Sequence, residues 1–214
     1  MAVGGAQVLA DEIASFWSDN GQGRPLSVII PGGTCSTAVL VHHGLQKRLR
    51  DNVDEPMDIQ VVVIPCVGDD AYARRQMMSL SLQVGESADD LPTVLAPAPE
   101  ESLIRKGSAE KDYFSFGEPQ KEILETFQVM KEENGVVLDL LYGASAWTIL
   151  LRHWNSQLSA DLSFDPNNPI AGREIMYVHS GGLEGINSQL LRYKYKGLVA
   201  DEDIQLPGRD RRIS

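Results

Sequence analysis

Two hydrophobic periods alternate along the chain. Leu26–Ile30 ("LSVII") and 59–67 ("IQVVVIPCV") are runs rich in β-branched side chains with almost no polar interruption, the pattern of strands buried on both faces. Further strands are predicted at 92–99 ("PTVLAPAP", cut short by its prolines), at 136–142 ("VVLDLLY") and at 173–178 ("REIMYV"). Between them lie segments of helical spacing. Residues 6–17 place Val8, Ile13 and Phe16 among alanines and leucines. Thr37–Leu49 ends in Lys47, Arg48 and Arg50, cations that suit the negative end of a helix dipole. Residues 68–85 open with acidic side chains, and 118–135 carry Ile123, Phe127 and Met130 on one face, with Gly135 where a C-cap belongs. Residues 143–154 and the end of 179–192 complete the helices. Residues 98–117 and the insert 159–172 read as polar surface loops.

Repeated strand–helix units with apolar strands predict an α/β fold, a three-layer sandwich around a mostly parallel sheet. Residues 1–200 read as one domain, and 201–214 as a tail with few core residues.

Composition narrows the function classes. A net charge of −11 argues against a nucleic-acid or anionic-membrane surface, because both need clustered Lys and Arg. The two cysteines, Cys35 and Cys66, indicate a reducing compartment rather than a disulfide framework. No basic region precedes an apolar run at the N-terminus, and no apolar run approaches the roughly 18–20 residues of a membrane span. A cytoplasmic protein is expected, with an organellar address left open, and a homo-oligomer is left open as well.

Chemistry concentrates in "SVIIPGGTCSTAVLVHHG", Ser27–Gly44. A strand-to-helix turn presents free N–H groups and the positive end of the helix dipole at the carboxyl end of a parallel sheet, where ligands collect. Gly32 and Gly33 let backbone approach an anion, and Thr34, Ser36 and Thr37 add hydroxyl donors. The turn lacks the lysine of a Walker loop and the G-x-G-x-x-G of a dinucleotide site. It reads either as a phosphate cradle without a basic side chain or as a helix N-cap with a tight turn.

The stretch "PGGTCST" resembles the loop that wraps the cofactor phosphate in fold type II pyridoxal-phosphate enzymes, the tryptophan-synthase-beta-like family. Pro31, Gly33 and Thr37 match, and Cys35 stands where a glycine is usual. Two further segments resemble the branch of 1-aminocyclopropane-1-carboxylate deaminase and D-cysteine desulfhydrase. They are "DLLYGASAW", with Asp139 and Tyr142, and "MYVHSGGLEG", with Tyr177, His179, Gly181 and Gly182; "GGAQVLADEI" is similar to the helix before the loop. The resemblance implies a pyridoxal phosphate cofactor held by Gly32, Gly33, Thr34, Cys35, Ser36 and Thr37. It also places Ser180 near the pyridine ring, Tyr142 and Tyr177 as active-site tyrosines, and a small amino acid as substrate.

The family also uses a lysine that forms a Schiff base with the cofactor, placed before the segment that resembles Met1–Trp17. The seven lysines here (47, 106, 111, 121, 131, 194 and 196) all sit in polar or helix-end contexts. The resemblance therefore covers the C-terminal two-thirds of the family's length. Three origins stay open: a fragment of a full enzyme, a truncated paralogue without turnover, or one half of a two-chain enzyme. By the residues alone, a non-catalytic α/β module or a Rossmann-like nucleotide binder using Asp69 or Asp70 stays open too.

Plainer readings stand beside these. A tyrosine at a strand end is a core residue with its hydroxyl at the rim. His179 is a hydrogen-bonding residue, Asp69–Asp70 a helix N-cap pair, and Glu184 a first-turn acid. His42 and His43, adjacent on a helix, point to different faces, so no metal site is expected.

Overall fold

Four parallel strands form one sheet in the order β3-β2-β1-β4, with β1 Leu26–Gly32, β2 Ile59–Pro65, β3 Thr93–Val94 and β4 Glu174–Tyr177. This computed structural model describes residues 2–51, 56–97, 113–159 and 168–200. The helices are α1 (Ala2–Asn20), α2 (Ser36–Asp51), α3 (Asp70–Gln83), α4 (Lys121–Glu133), α5 (Gly143–Ser159) and α6 (Ile186–Tyr195). The predicted tail, most of the 98–117 loop and most of the 159–172 insert lie outside the described residues.

The central pair is registered from Leu26↔Ile59 to Gly32↔Pro65. Side chains alternate across it, as the period of two demands. Leu26, Val28 and Ile30, with Ile59, Val61 and Val63, face α1, α2 and α3 through Ala10, Ile13, Trp17, Val39, Leu45 and Met77. Ile29, Val62 and Ile64 face Ala146, Ile149 and Leu150 of α5 on the other side. A third cluster joins α4, α5 and α6 through Ile123, Leu124, Phe127, Leu138, Leu140 and Leu190. Helices cover both faces of the sheet, so the α/β three-layer expectation holds. No described helix is long and apolar enough to cross a membrane.

β4 is pinned to β1 by polar groups at the amino end of the sheet. Ser27 Oγ donates to Pro169 O (2.6 Å), and Arg173 reaches Ser27 Oγ (3.1 Å), Leu26 O (3.0 Å) and both carboxylate oxygens of Asp58. That guanidinium holds the Asp58 carboxyl below its ordinary range.

Three local readings are corrected. Residues 136–142 form no strand: after Gly135 turns the chain with φ +68, Leu138 and Leu140 bury into the third cluster and Asp139 turns the backbone into α5. Of the strand expected at 92–99, the described residues form only Thr93–Val94, with Leu95 N–H still donating to Val63 O (2.9 Å) before Pro97, which has no N–H to give; 98–99 lie outside the described residues. Val8 and Phe16 are exposed, and the buried face of α1 is instead Ala10, Ile13, Ala14 and Trp17. Small alanines let α1 lie close to α2, where a Cβ on Gly44 would stand 2.8 Å from Ala10 Cβ.

Candidate functional site

The glycine-rich turn lies where β1 runs into α2. Val39 N–H is the first to reach back, to Cys35 O (3.0 Å), so the N–H groups of Ser36, Thr37 and Ala38 head the helix without intrahelical acceptors. No acidic side chain occupies the first turn of α2, leaving the positive end of its dipole uncompensated there. Thr34 Oγ1 and Ser36 Oγ stand 3.0 Å apart at the surface.

Cys35 stands where the resembling loop has a glycine, and its backbone adopts a conformation that suits glycine. Its φ is +60, in the left-handed region that glycine enters freely and other residues enter at a cost. The side chain is tolerated because the thiol turns back on its own loop, with Sγ 3.9 Å from Gly33 O, and the residue is 3% exposed. Burial pushes the Cys35 thiol up to about 11 and the Cys66 thiol up to about 12. Neither thiol is therefore expected to react with Ellman's reagent in the native protein at pH 8, whereas both react promptly in urea. Fast modification of folded protein would show that the loop opens readily.

Opposite the turn stand Tyr142 and the Ser180–Gly181–Gly182 turn. Together with Pro31, Gly33, Thr34, Cys35, Ser36 and Thr37 they line an open cleft of about 270 Å³. A Cβ on Gly33 would stand 3.0 Å from Tyr142 Cε1 and 3.3 Å from its hydroxyl oxygen, so the phenol ring lies directly against the loop backbone. Phe116 also packs on the ring, tilted, with centroids 5.3 Å apart. Partial burial, with lesser contributions from Cys66 and Asp139, raises the Tyr142 phenol above its ordinary value. The hydroxyl is therefore protonated at neutral pH and able to donate.

Asp139 holds the cleft's second wall. It is buried; Oδ1 accepts from the N–H groups of Leu141 (2.9 Å) and Tyr142 (2.7 Å), and Oδ2 from Gly143 (2.8 Å). One carboxylate thus caps α5 and fixes the backbone that carries Tyr142. The Ser180–Gly182 turn rests on the same residue: a Cβ on Gly182 would meet Asp139 Cβ and Cγ at 3.1 Å. Gly181 and Gly182 have φ +93 and +88, so the turn needs glycine. His179 ties it down, with Nε2 donating to Val137 O (2.8 Å) and Nδ1 accepting from Gly181 N–H (3.3 Å).

Seven of the residues read from sequence as a site meet in this cleft: Gly33, Thr34, Cys35, Ser36, Thr37, Tyr142 and Ser180. Gly32 and Tyr177 are not among its lining residues. Gly32 is buried at the end of β1, where a Cβ would stand 2.5 Å from Val63 Cγ1, so a side chain has no room there. Tyr177 lies against Trp147 (centroids 5.2 Å) with its hydroxyl donating to Gly143 O (3.4 Å), and burial drives its phenol far above the ordinary value. That is the core-tyrosine reading. None of the described lysines lines the cleft, and Lys106 and Lys111 lie outside the described residues.

A solved structure described as an ACC deaminase homologue superposes on this chain with a TM-score of 0.56 at 16% identity. The match covers 92% of this chain and 50% of that one, so the chain spans about half of its length. The two share a fold. No protein-family model and no curated protein matches the chain.

Asp139 had a signal in the sequence beyond its motif, since an acid just ahead of a helix is a capping pattern. Phe116 had none, because it reaches Tyr142 from a segment without periodicity. Asp69 is the N-cap of α3, its Oδ1 accepting from Tyr72 N–H (2.7 Å), which is the capping role expected of it. Away from the cleft, His42, His43 and Asp90 each bring one ligating atom within 4.8 Å of the other two, against the expectation that the adjacent histidines point apart.

Proposed function

We propose that the cleft holds the phosphate of pyridoxal phosphate, and that the chain is part of a pyridoxal-phosphate-dependent deaminase or desulfhydrase acting on small amino acids. One observation carries this reading. The three segments that resemble that family converge on a single cleft, in a fold shared with an ACC deaminase homologue.

The residues present fit the phosphate. The first-turn N–H groups of α2 and the hydroxyls of Thr34, Ser36 and Thr37 are donors, and Gly33 admits backbone to close range. Ser180 stands across the cleft, within the wall that would flank the ring. When bound, the cofactor acts as an electron sink for a substrate carbanion. Tyr142 then holds a proton at its hydroxyl beside the loop, while Phe116 and Asp139 fix where that hydroxyl stands. Tyr177 supports the Tyr142 wall from the core.

Among the described residues, no lysine lines the cleft to offer an amine for covalent attachment. A volume of about 270 Å³ is also slightly below the roughly 300–1,000 Å³ of complete small-molecule pockets. Non-covalent binding is therefore expected of this chain, with the reactive lysine supplied from outside the described residues. Titration with pyridoxal phosphate should protect the amides of Gly33–Thr37 from hydrogen exchange. Borohydride reduction should leave no stoichiometric pyridoxyl-lysine. Absence of protection at saturation would remove the phosphate reading, and protection by a nucleotide instead would favour a nucleotide binder. A stoichiometric adduct would overturn only the expectation of non-covalent binding.

A further inference from the structure

The cluster of His42, His43 and Asp90 lies on α2 about two turns beyond the phosphate loop, where the helix meets α3 and the segment leading into β3. His42 Nε2 faces Asp90 Oδ1 at 2.8 Å; a carboxylate only accepts, so Nε2 carries a proton that a cation bound there would displace. His42 Nδ1 is buried with no protein donor, in a residue 7% exposed. Ser81 Oγ gives its proton to Ser87 O (2.7 Å) and therefore accepts from His43 Nε2 (2.9 Å).

The rings stand edge to face with centroids 5.3 Å apart, and Asp90 is half exposed, giving the cluster a path to solvent. Glu86 and Asp90 act on His43 as negative charges, opposed by Arg50. Two imidazoles and a carboxylate are the donor set of a borderline divalent cation rather than of Mg²⁺ or Ca²⁺, which take oxygen. Metal–ligand bonds of about 2.0–2.2 Å require the three atoms to draw together somewhat from the 4.8 Å limit. Rotation of the half-exposed Asp90 side chain supplies part of that movement. Ser81 is then the outer partner that orients His43, as metal-bound histidines generally require.

We infer that His42, His43 and Asp90 form a Zn²⁺ site that clamps α2 to the segment between α3 and β3, with water completing the tetrahedron. The ordinary alternative is that the three only hold these elements together by hydrogen bonds.

Calorimetric titration of the full chain with ZnCl₂ separates the two. One equivalent should bind saturably, and MgCl₂ in excess should not compete. Asp90→Asn, at a half-exposed position, and His43→Ala should each weaken binding by at least about tenfold, the lower end of what disturbing a metal site's supporting residues costs. His179→Ala, which removes an exposed histidine outside the cluster, should leave it unchanged. Co²⁺ in place of Zn²⁺ should show the visible bands of a tetrahedral nitrogen–oxygen site without thiolate charge transfer. No saturable binding, equal affinity in Asp90→Asn and His43→Ala, or thiolate bands from Cys35 or Cys66 would each overturn the site.

Discussion

Asp139→Ala is expected to lower stability by about 3 kcal/mol, because three N–H groups lose a charged acceptor at once. Gly143 N–H is buried and has no replacement from water, and the cap of α5 goes with it. Asp139→Asn keeps the volume but presents an amide where one oxygen accepted, so it should lose about half as much. The damage is local before it is global. Hydrogen exchange at Leu141, Tyr142 and Gly143 should accelerate in both variants. Pyridoxal phosphate should protect the loop less, since Tyr142 and the Ser180–Gly182 turn are positioned by the same carboxylate. Urea denaturation with exchange read by residue checks both levels. A loss below about 1 kcal/mol for Asp139→Ala would mean that water satisfies these groups and that the wall is not built on Asp139.

Gly32→Ala should destabilise by about 2–3 kcal/mol, for a reason with no counterpart in ligand binding. The added methyl would stand 2.5 Å from Val63 Cγ1 on the adjacent strand and 3.1 Å from Cys35 Sγ. Val63 is β-branched and buried in a registered pair, so it cannot rotate aside without opening the core. Val63→Ala removes the methyl that Gly32→Ala strikes. The double variant should therefore be more stable than the sum of the single effects by about 1 kcal/mol or more. Additivity within about 0.5 kcal/mol would show that strain is relieved elsewhere. If Gly32 instead approaches the ligand, Gly32→Ala would abolish cofactor protection while leaving stability intact.

The amino-acid sequence determined the layers of this protein. Runs such as "VVVI" and the β-branched core of β1 can only be buried on both faces, and alternation with amphipathic helices requires crossovers and hence parallel strands. It also determined the polarity of the phosphate turn, since a small-residue stretch between strand and helix exposes N–H groups whatever surrounds it. It did not determine 136–142. That stretch has a strand's composition, but only the packing of Leu138 and Leu140 against α4 and α6 and the capping by Asp139 decide that it turns.

Tertiary structure alone decided which candidate residues share a site. A strand's alternation says that Tyr177 and Ser180 lie near one end of β4. It does not say that Tyr177 folds under Trp147 while Ser180 faces the loop. Gly32 and Gly33 are adjacent and identical in sequence, yet one is tight against Val63 and the other borders Tyr142. Likewise, adjacent histidines point about 100° apart around an isolated helix. Ser81 on α3 and Asp90 beyond it, meeting α2 from elements distant in the chain, give His42 and His43 a common neighbourhood. Local chemistry is written along the chain, whereas convergence of side chains depends on contacts between segments that no local pattern encodes.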